Sequence, residues 1–280
     1  MNLITVTFKH DLHNLLYQAY SLKKNWLGKK EWIIVSEDGD VTYNFVKDRI
    51  IPVMEDWNII LENAPSMAAT NGWWRQQICK LWAAAVINQH EHSIILDSKN
   101  SLINPIGPDW FFVDRKTKVV TWKKEWGLEL GKHYIDCCNF FGGDIDKKIY
   151  CSSGTPWVWR KDIVQKTIQE YLSRGCNIYN EEILPAWEFD AYWHFAQDLI
   201  EYIHVDVNTL EQGIWHYDND PSPEYSISCI NNDFDKFPFW TFHRVMTIHP
   251  TCVKFNNELL LKLKIIDESL IKEWTSLCLN

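Results

Sequence analysis

No two of the eight cysteines, at 79, 137, 138, 151, 176, 229, 252 and 278, form a C-x-x-C pair. Structural zinc sites are normally built from two close ligand pairs, and His133 with Cys137 and Cys138 lacks the second pair. The cysteines therefore read as reduced thiols. Cys79 and Cys278 fall in apolar helical patterns, where a thiol behaves as a small hydrophobe. Basic charge is also short: 28 Lys and Arg face 37 Asp and Glu, a formal net charge of -9. That balance argues against a nucleic-acid partner, whose binding surface is normally basic. Any phosphate must then be held by a local basic group, of which Lys23-Lys24 with Lys29-Lys30, Arg75 with Lys80, and Lys123-Lys124 are the candidates. Solvated surface is the alternative for each. No apolar run approaches the ~20 residues of a spanning helix. The start, MNLITVTFKH, shows no basic segment, apolar stretch and small-residue cleavage site in succession. The expected compartment is the cytoplasm, with no membrane span. Internal repeats, low-complexity tracts and linkers are missing too, so the 280 residues are expected to form one domain.

What the chain has in excess is aromatic: 16 Trp, 11 Tyr and 13 Phe. Its apolar pattern alternates in period. Leu3 to Phe8 reads as a strand, followed by Asp11 and a helix carried by Leu12, Leu15, Leu16, Ala19 and Leu22. Trp32-Ile33-Ile34-Val35 is a second strand closed by the turn residues Glu37-Asp38-Gly39-Asp40, and Ile50 to Val53 is expected to add an edge or a further strand, Pro52 weakening its claim to a central position. WWRQQICKLWAAAVINQ, residues 73–89, places Trp74, Ile78, Leu81, Trp82 and Ala85 on one helical face. Ser93-Ile94-Ile95-Leu96 follows as an unalternating apolar run, the pattern of a strand covered on both faces.

Beyond residue 105 the texture is mixed. A hairpin is expected from 110–113 and 118–122, and 123–155 shows no clear period. Helices are predicted from Asp162 to Leu172, stopped by Gly175, from Glu188 to Ile203, and from Asn257 to Leu279. A loop with short strands covers 221–238, and Arg244 to Ile248 reads as a strand. The expected fold class is α/β: a mostly parallel central sheet with helices on both faces, residues 1–105, and a mixed α+β half, residues 106–280.

Ligands of open α/β sheets bind outside the carboxyl ends of the strands, and Asp97 follows directly on the run 93–96. In a D-x-D site two acids share a divalent ion that bridges a nucleotide diphosphate. Here Lys99 stands where the second acid would be. It also departs from a phosphatase-type pair, where a second acid would act as acid/base.

Gly72-Trp73-Trp74-Arg75-Gln76-Gln77 with Cys79-Lys80-Leu81, followed by Leu96-Asp97-Ser98-Lys99-Asn100, resembles a family of glycosyltransferase-like proteins of bacteria and their viruses. Their pattern is a G-W-x-R-Q-Q-x-x-K-L helix leading to an L-D-x-[DK]-[TN] strand end. The likeness is concentrated in residues 70–105. It extends to Ser21-Leu22 and to an E-x-x-x-Y-x-x-F pattern at Glu188, Tyr192 and Phe195. It implies a single GT-A-type, Rossmann-like domain that binds a nucleotide-sugar and transfers the sugar to a glycan or other hydroxyl acceptor.

By that resemblance Asp97 matches the first acid of the D-x-D and Ser98 its variable middle. An ammonium at 99 would repel a divalent cation but can meet a diphosphate itself. The favoured expectation is a metal-independent site. Asp97 and Asn100 would hydrogen-bond the sugar or ribose, while Lys99 and Arg75 hold phosphate. Manganese or magnesium on Asp97 with His243 or His249 stays the alternative. Thr7, Phe8, Lys9 and His10 after the first strand, Asp38 after the second, and Gln76 and Lys80 on one helix face complete the expected donor site. A strand-to-helix turn capped by Asp11, and the solvated face of a helix, are the bland alternatives. Glu188 or Asp190 could serve as general base, or simply favour a helix N-terminus. Trp122, Trp126, Trp157, Trp159, Trp187, Trp193, Trp215 and Trp240 suit either sugar stacking or the core. A catalytically silent sugar-nucleotide- or glycan-binding protein is the second functional class open to this sequence. A nucleotidyltransferase is a third, but no Gly-rich basic loop follows the first strand.

Overall fold

A computed structural model describes residues 1–37, 39–121, 128–143, 155–206, 214–215, 239–241 and 250–272. Strand β1 (Asn2–Thr7) leads through a single 3-10 turn into helix α1 (Leu12–Asn25), then β2 (Glu31–Ser36), α2 (Asp40–Phe45) and β3 (Asn58–Asn63). Helix α3 (Gly72–Trp82), continued by a π-helical turn at Ala83–Ile87, returns the chain to β4 (His92–Asp97). β1, β2, β3 and β4 are parallel, in the order β3-β2-β1-β4. The chain therefore steps outward from β1 to β3 and comes back on the other side of β1. This reversal makes the β1/β4 boundary the switch point at which such sheets open a crevice.

Each central strand is buried on both faces, as its unbroken apolar run requires. Leu3, Trp32, Ile34, Ile94 and Leu96 pack toward Leu15, Leu16 and Leu22 of α1. Ile4, Val6, Ile33, Val35 and Ile95, on the opposite face, pack with Cys79 and Leu81 of α3.

The short strand β5 (Asn100–Leu102) follows β4 after a two-residue turn. β6 (Phe112–Val113) and β7 (Lys116–Thr121) form a hairpin where one was expected, but Trp110 and Phe111 belong to a 3-10 turn, Pro108–Phe111, and the connection shortens to Asp114 and Arg115 at φ 49° and 68°. Positive φ at both turn residues is the geometry that matches strand twist. Then come α4 (Leu128–Phe141), β8 (Trp157–Arg160), α5 (Lys161–Ser173), α6 (Glu188–Ala196) and β9 (Tyr202–Asp206). β10 (Ile214–Trp215), β11 (Phe239–Thr241) and α7 (Pro250–Lys262) complete the described chain. β8 adds an antiparallel edge to β4, while β10-β11-β5 and β6-β7-β9 form two small separate sheets.

Several expectations need correction. Residues 50–53 are not a strand: Val46, Ile50 and Met54 are all fully buried, and their spacing of four is that of one helical face. The third parallel strand is Asn58–Asn63 instead. The region without a clear period contains α4, whose buried Tyr134, Cys137, Cys138 and Phe141 repeat at helical spacing. Its signal is muted because two of the four are thiols. The helix beginning at Glu188 ends at Ala196, and β-branched residues then enter β9. The terminal helix begins at Pro250, ends at Lys262 and is broken by Lys264 at φ 53° before helix resumes at residue 268. The strand expected at 244–248 lies outside the described residues, as do Asp38, Lys123, Lys124, Trp122, Trp126, His243, His249 and Cys278. Cys79, Cys137, Cys138 and Cys176 are buried thiols outside any disulfide.

One buried amide ties the sheet to the site. Thr5 Oγ1 donates to Gln18 Oε1 (3.0 Å) and accepts from Trp32 Nε1 (3.0 Å). Gln18 Nε2 donates to the carbonyl oxygens of Asp97 (2.8 Å) and Asn100 (2.9 Å). Replacing Gln18 by Leu leaves these groups without their partner and is expected to cost on the order of 2–4 kcal/mol. A lower urea midpoint at unchanged slope would register it.

Candidate functional site

The carboxyl ends of the parallel strands deliver Asn63, Ser36-Glu37, Thr7-Phe8 and Asp97-Ser98 to one edge of the sheet. In register, Val6 lies beside Asp97 and Thr7 beside Ser36. The turn after Asp97 is built, not loose. Asn100 Oδ1 accepts from the Asp97 backbone N–H (2.7 Å), and Ser98 Oγ donates to Asp11 Oδ2 (3.0 Å). Asp11 occupies the N-cap position of α1 but makes no side-chain cap hydrogen bond, so its carboxylate serves the turn instead. Further along α1, Ser21 Oγ accepts from Leu102 N–H (2.9 Å) and Asn25 Nδ2 donates to Leu102 O (2.6 Å). Gln18, Ser21 and Asn25 are spaced three and four apart, so one helix face carries the whole segment from Asp97 to Leu102. Sequence reasoning missed this stripe. The signal was present as three polar residues inside the apolar face of a buried helix.

At the end of that segment lies a charge cluster. Lys80 Nζ, from α3, stands 2.9 Å from Asp97 Oδ1 and 3.2 Å from Glu188 Oε1. Lys99 Nζ lies 3.3 Å from Asp97 Oδ2. The Lys80 ammonium also sits 4.9 Å over the Phe189 ring. Lys80 and Glu188 are each 3% exposed, whereas the Lys99 side chain keeps 22% of its surface in solvent. Gln77, one turn before Lys80, accepts from Glu188 N–H through Oε1 (3.3 Å). Neutral Gln77, not Gln76, is thus the α3 residue that shares Glu188 with Lys80.

Proton affinities follow from this geometry. Burial pushes Asp97 up, but the Lys80 and Lys99 ammonium groups pull it down further and hold it well below the carboxylate range. Burial would lower Lys80, yet Asp97 and Glu188 prevail and raise it. At Glu188 burial outweighs the pull of Lys80, so its carboxyl is raised. Asp190 is raised well above its ordinary value, first by burial and then by Glu188. Among the described residues its Oδ2 has no hydrogen-bond partner.

The remaining expected residues are placed as follows. Arg75 reaches away from the cluster: Nη2 donates to Glu37 O (2.9 Å), Nη1 to Ala69 O (3.1 Å), and Nε lies 3.6 Å from Glu37 Oε1. With Ser36, Glu37, Asn63 and Ser66 it lines a cavity of about 400 Å³ at the ends of β2 and β3. Thr7 is buried and its hydroxyl lacks a partner among the described residues, Phe8 is half-buried, and Lys9 and His10 are exposed. Gln76 is half-buried. Trp157, Trp159 and Trp193 belong to the core. Trp187 is half-buried, stacked on His133 at 3.3 Å between centroids and edge-on to Trp73 at 4.6 Å. Side chains of Trp215 and Trp240 lie outside the described residues.

A divalent ion does not fit these residues. Lys99 replaces the second acid, and the Lys80 ammonium already lies between Asp97 and Glu188. Among the described residues no group of three or more His, Cys, Asp or Glu could hold a metal.

The chain belongs to the family of unknown function DUF6492, whose model matches residues 16–233. No curated protein sequence matches it. Among solved structures it is similar to the galactosyltransferase LgtC in complex with donor and acceptor sugar analogs, at 12% sequence identity. That likeness has a TM-score of 0.52 and covers 96% of this chain and 98% of LgtC. It shows a GT-A-like α/β fold with a mostly parallel central sheet. No described helix is long and apolar enough to cross a membrane.

The raised carboxyl of Asp190 has a thermodynamic consequence. Where the folded-state pKa exceeds the unfolded one, the stability contribution is complete below the unfolded pKa and is lost as pH rises toward the folded one. Asp190→Asn is therefore expected to match the parent near pH 4 and to exceed it above. The gap should grow by up to about 1.4 kcal/mol per pH unit, read from denaturant unfolding between pH 4 and 8. A gap that closes as pH rises would contradict the assignment.

Proposed function

We propose that this DUF6492 chain is a glycosyltransferase that moves a sugar from a nucleotide-sugar donor to a glycan or other hydroxyl acceptor, without a divalent ion. The reading rests on Asp97: an ionised, braced carboxylate at the switch point of a GT-A-like sheet, paired with a partly exposed lysine two residues on. The donor would lie along the carboxyl edge. Its nucleoside end would occupy the cavity between Glu37, Asn63 and Arg75, and its diphosphate would approach Lys99.

In the transfer, the bond from the anomeric carbon to the diphosphate oxygen breaks, and the electron pair leaves with the diphosphate. The acceptor oxygen bonds to the same carbon and gives up its proton to the leaving diphosphate or to water. Charge builds on the leaving oxygens, so a fixed ammonium at the rim stabilises the transition state more than the ground state. Lys99 has the exposure for that role. Asp97 would receive hydrogen bonds from the sugar or ribose hydroxyls. Asn100 acts through the turn, its Oδ1 being engaged by the Asp97 N–H. A base that meets an acceptor must be open to it, and Glu188, covered beside Lys80, is better suited to positioning the cluster.

The same pairing supports a second reading, a silent sugar-nucleotide- or glycan-binding protein, because two lysines already neutralise Asp97. Incubation with UDP-, GDP- and CMP-sugars and a panel of saccharide acceptors separates the two. A transferase releases nucleoside diphosphate or monophosphate with sugar transfer or hydrolysis, and Lys99→Ala lowers kcat by on the order of 100-fold or more. Nucleotide binding with no turnover of any donor would leave the silent protein standing.

A further inference from the structure

We propose that Lys80 is the resident cation of this site, holding Asp97 and Glu188 together where a carboxylate set would otherwise hold a divalent ion. The inference rests on the glycosyl-transfer reading for its role in turnover, but not for its geometry. Three elements meet at one nitrogen: α3 supplies Lys80, the end of β4 supplies Asp97, and the start of α6 supplies Glu188. The ammonium faces carboxylate oxygens at 2.9 and 3.2 Å and the Phe189 ring at 4.9 Å, and it is 3% exposed. It is thus too deep to meet a substrate phosphate and well placed to orient the residue that can meet one.

Asp97 is the shared element. Its Oδ1 faces Lys80 and its Oδ2 faces Lys99. The two ammonium groups together carry the +2 that a divalent ion would bring, divided between a buried half and a rim half. Neither can be displaced cheaply. A metal approaching Asp97 would meet two like charges within a few ångströms in a poorly solvated place, where Coulomb repulsion is only weakly screened. Removing Lys80 would have the opposite effect, leaving Asp97 and Glu188 as close, buried and under-compensated carboxylates. Such a pair should recruit the cation it lacks. Lys80 is therefore a positioning residue, and it accounts for how Lys99 can stand in a D-x-D position without leaving the site deficient in charge.

The test measures Mn2+ binding to the full chain by electron paramagnetic resonance and by thermal unfolding, for the parent, Lys80→Met, Lys80→Arg and Lys80→Met with Asp97→Asn. The parent and Lys80→Arg are expected to show no saturable binding and no shift in Tm with Mn2+. Lys80→Met should melt lower, bind Mn2+ at least about 100-fold more tightly than the parent, and regain part of its Tm as Mn2+ is added. The double variant should lose that response. A general loss of packing would lower Tm without creating an Asp97-dependent Mn2+ site. Saturable Mn2+ binding by the parent that Asp97→Asn abolishes overturns the proposal, and so does a folded Lys80→Met that gains none. If Lys80→Met does not fold, a Mn2+-responsive Lys80→Arg overturns it and an unresponsive one supports it. Donor turnover separates the two levels of inference. Sugar transfer that requires Mn2+ defeats the resident cation and keeps the transferase. Absence of turnover, with the expected Mn2+ results, defeats the transferase and keeps the resident cation.

Discussion

A lysine ammonium inside a protein is stable only if something replaces the water it gives up, and in this chain Asp97 and Glu188 do so at 2.9 and 3.2 Å. Much of the architecture can be understood from that requirement. α3 must run so that Lys80 points under the end of β4, and α6 must begin where its first residue meets the same nitrogen. Gln77, one turn earlier, fixes the Glu188 backbone. The cluster links the crossover helix, the switch-point strand and the second half of the molecule. Clusters of this kind are poor sources of net stability, so its value lies in the placement of Asp97 and, through it, Lys99.

The second support is neutral. α1 lays Gln18, Ser21 and Asn25 beneath residues 97–102, and each satisfies backbone groups that would otherwise be buried without partners. Thr5 and Trp32 hold Gln18 from the sheet side. Asp97 is therefore braced by hydrogen bonds from below and by ion pairs from the side. This two-sided bracing keeps a carboxylate ionised and in one orientation, which is what preorganised chemistry asks of a site.

How much of this was legible in the sequence depended on range. The parallel strands β1, β2 and β4 were legible because their apolar runs are local and uninterrupted, and α3 because its apolar period is clean. α4 was obscured by two thiols among its four buried positions, and the segment around Ile50 by a proline that suggests an edge strand more strongly than a helical turn. Asp97 and Lys99 could be singled out because their spacing is a local fact. Lys80 could be named as a candidate but not given its partners: 17 residues separate it from Asp97 and 108 from Glu188. Tryptophans showed the same limit. Composition made eight of them eligible for sugar contact, and packing put Trp157, Trp159 and Trp193 in the core while leaving Trp187 partly open beside Trp73 and His133.

By itself the sequence determined the α/β class, the position of Asp97 at a strand end and the charge reversal at residue 99, because periodicity, strand length and the identity of a neighbour two places away are properties of short stretches. Only the tertiary structure decided which charges meet. It turned Lys80 from a surface phosphate candidate into a buried partner of two carboxylates, sent Arg75 to the cavity at the β2 and β3 ends, and closed the Asp97 turn with side chains from α1. Those outcomes depend on how helices cross the sheet and on the cost of burying an unpaired charge, and neither is written in any short segment of the chain.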